Sequence, residues 1–411
     1  MPRELPFDCL NEIFEYLNDD VDGLFSCLLV NRRWSEVSVR ILWRRMQSFN
    51  TLLACLSDKS KKILSDKRII ISTSILSPPS FHYVAFIKSL CFRKFDLFVK
   101  NFLKNQPNFT SPIEEYEIIL VIAREIFLML FNQTSLKSLN FYPSPRYLHM
   151  IPLFEYPGVD DCLSKLTELR CGSNLYSEFF YRLSQICQNL QSLKIIIEDC
   201  ISNGLVDLFS AQKHLKCLDI EYHNLYIRDQ PFTKFPDTLI RLRIVGERHH
   251  IPYSLISKLS NLQELSITSI NEIGGYNNFN ILQHITFPQL KILKFECECP
   301  YEEYLTKFLE INGKNLKELW ICEDMNDSFN LIIVKFCPNL ISLRTSFLDG
   351  KVESLKVILK SCELLERIHI LNDDVILEEL ELLAIVKEFA PKNFRNLKVG
   401  RNNLIWTKGI N

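Results

Sequence analysis

The sequence predicts an α/β chain: a short N-terminal segment of three helices, then a curved solenoid with parallel strands on its concave face and helices outside. Three observations predict this. An apolar kernel recurs at near-constant spacing from residue 136 onward. Helix-compatible stretches fill the intervals between kernels. Residues 5–43 instead carry three apolar stripes at helical spacing.

In the first segment, Pro6 suits a first helical position, where its missing N–H costs nothing. Phe7, Leu10, Ile13, Phe14 and Leu17 then form one stripe, and Asn18-Asp19-Asp20 reads as a turn. Leu24, Cys27, Leu28 and Val30 make a second stripe; Trp34, Val37, Ile41 and Trp43 make a third. About 40 residues rarely bury a stable core alone, so this segment is expected to dock on something else.

The order Leu5-Pro6, Ile13, Leu17, Val30, Trp34 and Trp43 resembles the F-box. That resemblance implies docking on a Skp-type adaptor and, through it, a cullin scaffold of a ubiquitin ligase. On it, adaptor contact is assigned to Leu5, Pro6, Leu10, Ile13, Leu17, Val30 and Trp34, supported by Trp43. Some of these must pack the helices against each other instead. The stretch from Leu17 to Val30 is about two residues longer than the family's pattern, which places the departure at Asp19–Gly23. The other reading of the segment is a plain helical cap on the repeat body. Residues 46–85, with Lys59–Lys62 and Pro78-Pro79, read as a helix and linker, so the expected domains are 1–45, 46–85 and 86–411.

The kernel has apolar residues at positions 1, 4 and 6: Leu136/Leu139/Phe141, Leu166/Leu169/Cys171, Leu190/Leu193/Ile195, Leu215/Leu218/Ile220, Leu239/Leu242/Ile244 and Leu262/Leu265/Ile267. It returns at Leu290/Leu293/Phe295, Leu316/Leu319/Ile321, Leu340/Leu343/Thr345, Leu365/Ile368/Ile370 and Phe394/Leu397/Val399, at spacings of 23 to 30 residues. Ile87/Leu90/Phe92 is an earlier copy. Alternation from position 4 to 6 is a short strand with its apolar side chains inward. Tyr176–Cys187, Ser254–Leu259, Tyr301–Ile311, Asn330–Phe336, Val352–Leu359 and Leu377–Phe389 read as the intervening helices. Kernel and spacing resemble leucine-rich repeats. Cys187, Cys337 and Cys362, each three residues before a kernel, are similar to a cysteine-containing subtype common in F-box proteins. Such units bury their apolar faces only by stacking. The asparagine often found just past the strand is mostly missing, Asn174 excepted, and the loops around Tyr142–Asp161 and after Ile270 exceed the repeat's needs.

The 411 residues are 47% hydrophobic and 24% charged, ample for a large core. With a formal net charge of −1, nothing favours non-specific attraction to nucleic acid or membrane. No signal peptide is evident, and the apolar run Ile118–Phe131 is interrupted by Arg124-Glu125 and too short to span a bilayer. A cytoplasmic or nuclear location is expected. The fourteen cysteines include no C-x-x-C pair and read as reduced, mostly buried thiols. N-x-S/T triplets at Asn108, Asn132 and Asn326 are read as chance. No phosphate-cradling glycine loop, nucleophile elbow or metal-spaced histidine set occurs; Gly274-Gly275 and His249-His250 read as loops. The chain is expected to be non-catalytic and to need no metal or cofactor.

Position 5 of the kernel should face outward. Down the array it reads Asn140, Arg170, Lys194, Asp219, Arg243, Ser266, Lys294, Trp320, Arg344, His369 and Lys398, six of eleven being Lys or Arg. Arg170, Lys194, Arg243, Lys294, Trp320 and Arg344 are the candidates for target contact: a basic stripe for an acidic or phosphorylated segment, with Trp320 as anchor. A solvated strand face is the other reading. Together these features imply a substrate-recognition subunit of an SCF-type (Skp–cullin–F-box) E3 ubiquitin ligase, whose solenoid captures a target for ubiquitin-dependent degradation. The alternative is a protein-interaction scaffold without a degradative role.

Overall fold

The computed structural model describes residues 5–71, 79–106, 111–143, 152–198, 200–223, 232–246, 252–269, 276, 278–321, 327–347, 353–371, 379–400 and 403–407. Asn108, Asn326, Gly274-Gly275, His249-His250 and the loop after Ile270 lie outside them. The chain divides into two compact units, Met1–Leu190 with Asp207–Gln212, and Gln191–Val206 with Lys213–Asn411.

The first unit opens with α1 (Phe7–Glu15), α2 (Val21–Leu28) and α3 (Arg32–Leu42). Short helices at Phe49–Ala54, Asp58–Asp66 and Tyr83–Phe86 follow, where the sequence suggested one helix and a linker. Strands β1 (Ser89–Cys91), β2 (Ser138–Asn140) and β3 (Glu168–Gly172) pair in parallel, in that order. The long helix between β1 and β2, Pro112–Gln133, is capped by the Ser111 hydroxyl and buries Ile118, Ile122, Ile126, Phe127 and Leu130. Among the described residues no helix is long and apolar enough to cross a membrane. Phe92, which the kernel placed at a strand end, starts a helix instead and stacks on Phe141 at 4.5 Å. Phe127 joins them from the long helix, 5.3 Å from Phe92 and 4.9 Å from Phe95.

The second unit holds β4 (Ser192–Ile197), β5 (Cys217–Tyr222), β6 (Arg241–Gly246), β7 (Glu264–Ser269), β8 (Ile292–Cys297), β9 (Glu318–Trp320), β10 (Ser342–Thr345), β11 (Arg367–Ile370) and β12 (Asn396–Val399). Each pairs in parallel with the next. The register aligns kernel position 4 throughout: Leu193, Leu218, Leu242, Leu265, Leu293, Leu319, Leu343, Ile368 and Leu397 stand side by side, all buried. This is the architecture of a leucine-rich-repeat solenoid. β13 (Asn403–Thr407), which the kernel did not announce, pairs antiparallel with β12.

One hydrogen-bond pattern repeats with the kernel. Within each unit the carbonyl at position 2 of a repeat accepts from two successive N–H groups of the next: Gln191 from Lys216 and Cys217, Lys216 from Ile240 and Arg241, Ile341 from Glu366 and Arg367. Within the first unit the series starts before β1. The Arg44 carbonyl accepts from Lys88 and Ser89, both at 2.9 Å, and Arg45 forms a parallel bridge to Ser89. The segment just after α3 therefore covers the edge of β1, so the N-terminal region does cap the repeats.

Buried amides tie down backbone groups between the repeats. Gln212 accepts from the Leu190 N–H at 3.0 Å and donates to the Cys187 carbonyl at 2.7 Å. Asn312 does the same for Phe287 N–H and the Ile285 carbonyl. Thr345, at kernel position 6, donates to Asn330, which donates in turn to the Ser346 carbonyl. The pre-kernel thiols are fully buried. Burial pushes Cys187 up to about 12 and Cys362 up to about 11, so both are protonated and inert at neutral pH.

Candidate functional site

Two surfaces concentrate exposed chemistry. The first is on the three N-terminal helices. Pro6 stands at the N-cap of α1, one residue before its first turn. The Asp20 carboxylate accepts from Gly23 N–H at 2.9 Å and so caps α2. A Cβ at position 23 would lie 2.3 Å from that carboxylate, so a larger residue there would make the Asp20 side chain shift. Asn31 caps α3 by accepting from Trp34 N–H at 2.9 Å. The Asp20 cap lies within the stretch where the spacing departs from the F-box pattern.

Inside, Leu10, Phe14, Leu24, Cys27, Val37, Ile41 and Trp43 are buried. Trp34 packs edge-on against Phe14 at 5.1 Å. Arg44 grips Glu15 through both carboxylate oxygens, at 2.5 and 2.6 Å; that bond holds the Glu15 carboxyl below the ordinary range. The structure thus separates the seven sequence candidates. Leu5, Pro6, Ile13 and Val30 face outward, and Leu17 and Trp34 are half-buried. Leu10 is corrected: only 3% exposed, it joins the helices together and is closed to a partner.

The outward face is larger than those candidates suggested. Tyr16 is 91% exposed and Leu29 89%, with Val21 and Phe25 also outside. Val21, Phe25 and Leu29 are spaced by four, so they line one side of α2 and its exit. A stripe search finds the face that packs; an apolar stripe on the other face of a helix looks like extra core.

The second surface is the strand face of the second unit. Position 5 lies on the outward face, as alternation requires, though Ser266 there is only 3% exposed, and its cations are not uniformly free. Lys194 meets Asp219 at 3.3 Å and also bonds Glu221. Arg243, from the other side of β5, meets the same two carboxylates at 3.3 and 3.2 Å. Burial acts to raise the Glu221 carboxyl, but the hydrogen bonds and charges of Lys194 and Arg243 outweigh it and bring it below its ordinary value. Lys294 lies 2.9 Å from Glu318, and Arg241 is 2.6 Å from Glu264. The expected basic stripe is therefore corrected over β4–β8 to an alternating ladder whose charges cancel. Glu221 was missed because it sits at position 7, one outward step beyond the residues scanned.

Trp320 is corrected likewise as a free anchor. Lys294 from β8 stands over its ring at 4.1 Å and Arg344 from β10 at 5.2 Å, so the indole holds two cations from its neighbouring strands. His369 sits between Arg344 and Lys398 in register. Burial, with those two charges, keeps it below its ordinary value despite the Gly400 carbonyl at 2.8 Å; since a carbonyl only accepts, Nε2 carries the proton. In the first unit, Arg170 lies over Tyr142 at 5.6 Å. Among the described residues no group of three His, Cys, Asp or Glu side chains is placed to hold a metal.

Residues 3–47 match the F-box-like family model. No curated protein matches the chain. Among solved structures, the leucine-rich repeat-containing protein LegL7 from Legionella pneumophila is similar at 15% identity, covering 66% of this chain and 85% of its own, with a TM-score of 0.36. A likeness that low bears no weight. The repeat assignment stands on the register and strand order above. An F-box-like domain followed by a leucine-rich-repeat body is thus the organisation of this chain.

Proposed function

We propose that this chain is the non-catalytic target-recognition subunit of an SCF-type ubiquitin ligase, acting in the cytoplasm, the nucleus or both. One observation supports the reading most: seven large apolar side chains, Leu5, Ile13, Tyr16, Val21, Phe25, Leu29 and Val30, are exposed within 26 consecutive residues of the F-box-like domain. Scattered exposed apolar residues are ordinary, whereas a concentrated set marks a binding surface. A cap that served the repeats alone would need the Arg44 and Arg45 contacts but not this outer face. In this reading the face docks on a Skp-type adaptor, and the repeat body holds a target near the ubiquitin-loaded enzyme. The gain is effective concentration, with no bond made by this chain.

Co-purification with a recombinant Skp-type adaptor tests the docking. Ile13→Asp with Leu29→Asp is expected to abolish capture and leave the melting temperature unchanged, because neither side chain is in the core. An adaptor that still co-purifies with the double variant refutes the assignment. Cullin association, and proteins that accumulate on the chain only under proteasome blockade, separate a degradative role from a scaffold.

A further inference from the structure

The strand face of β9–β12 contains a hollow of about 190 Å³, lined by Trp320, Arg344, Arg367, His369, Asn396 and Lys398. Its electrostatics differ from those of β4–β8. There Lys194, Arg243 and Lys294 each meet a carboxylate at 3.3 Å or less. In the hollow, Arg344, Arg367 and Lys398 have no carboxylate partner among the described residues. Glu318 reaches the rim, but it is engaged with Lys294 at 2.9 Å.

Register fixes the arrangement of these three cations. Arg344, His369 and Lys398 stand side by side on β10, β11 and β12. Arg367 lies two residues before His369, on the same face of β11. Strands about 4.8 Å apart and same-face residues about 6.7 Å apart put the three cations at the corners of a triangle with Cα separations of about 8–10 Å. Long side chains from such corners converge on one point. That geometry suits one compact anion with several acceptor oxygens; a row of separate carboxylates would call for cations in line. Trp320 holds the Arg344 guanidinium over its ring, so part of the ordering cost is met before any ligand arrives.

We propose that this hollow is a phosphoryl-binding site, taking one phosphoserine or phosphothreonine side chain of the captured protein. The proposal rests on the reading that the repeat body captures a target, and it names the chemistry of capture. A phosphorylated side chain brings a charge of about −1.5 to −2 and three acceptor oxygens, matching three convergent cations. Arg344 and Arg367 can each offer paired N–H groups to it. The volume suits one such group, and a long polyanion would extend over the self-neutralised ladder of β4–β8, where it gains little.

The test is fluorescence anisotropy of the 411-residue chain with a degenerate peptide library fixed at a central phosphoserine, against the same library with serine or glutamate there. The phosphorylated pool is expected to bind at least tenfold more tightly than either. Arg367→Ala and Lys398→Ala should each weaken it at least fivefold; Arg367 is exposed, so its truncation leaves the fold intact by circular dichroism. Lys307→Ala, which removes a cation from the helix Glu302–Asn312, should change nothing. Equal binding of the serine pool, equal binding of the glutamate pool, or full affinity in the Arg367→Ala/Lys398→Ala double variant overturns the proposal. So does inositol hexakisphosphate that binds the hollow when no phosphopeptide does. Adaptor co-purification from the same preparations separates the two readings. If it persists without phosphate selectivity, the site fails and the docking assignment stands. If it is lost while selectivity persists, the reverse holds.

Discussion

The F-box-like helices and the strand face of the second unit expose opposite kinds of surface. The helices leave Tyr16 and Leu29 almost wholly in solvent and bind their charges locally, Arg44 to Glu15 and Arg45 to Asp19. The strand face shows few large apolar groups and carries ions in register, cancelled on β4–β8 and left over on β9–β12. On the proposed function, the difference teaches how one chain can address two kinds of partner. An apolar face gives affinity without demanding one charge pattern, whereas an ionic face discriminates, because a mismatched or unpaired buried charge is costly.

The strongest way to break this division is to damage one region and watch the other. Phe295 is buried against Tyr276 and Phe279, each ring 5.7 Å away. Phe295→Ala is expected to cost about 3–5 kcal/mol, seen as a lower denaturant midpoint for the repeat body, with adaptor capture at low temperature unchanged. Adaptor capture lost in proportion would show that the two regions do not act separately.

A smaller perturbation sharpens the ladder. Glu221→Gln leaves Lys194 and Arg243 sharing Asp219 alone and is expected to cost about 1 kcal/mol at pH 7, discounted because both cations reach solvent. The sign with pH follows from the lowered carboxyl. Its stabilisation is complete above the ordinary Glu value of 4.5 and is lost as pH falls through its lower folded value. Wild type and variant should therefore converge in stability in acid, and a gap that widens below pH 4 contradicts the network.

The smallest effect belongs to the helices. Glu15→Gln removes a half-exposed ion pair with Arg44 and should cost about 0.5 kcal/mol, vanishing in high salt. A salt-independent loss would mean that the pair acts as packing.

The kernel spacing made the repeats legible because an inward apolar position cannot drift without moving a side chain to the other face. Every kernel from Leu136 to Phe394 has its strand starting two residues on. The site was less legible, for three separate reasons. Apolar stripes report burial, so they drew in Leu10 and passed over Tyr16, Val21, Phe25 and Leu29. Outward charges report their sign but not their partners; Asp219 stands between Lys194 and Arg243 in the position-5 series, yet only the structure shows it pairing with both, with Glu221 beside it. The Arg44 rung and the strand β13 are backbone events, which no side-chain pattern announces.

That Arg44 rung bears on how the protein should be handled. On the function proposed above, deleting the first 45 residues is the obvious way to make a variant that would keep target binding and lose the ligase. Such a truncation would also strip two hydrogen bonds from Lys88 and Ser89, bare the edge of β1, and take Trp43 away from Tyr83, 4.5 Å off. An exposed parallel edge invites pairing with another chain. A truncated protein that clumps or vanishes in cells would then report a lost lid on the sheet, and would be mistaken for evidence about degradation. Single substitutions on the outer face of the helices avoid that confusion.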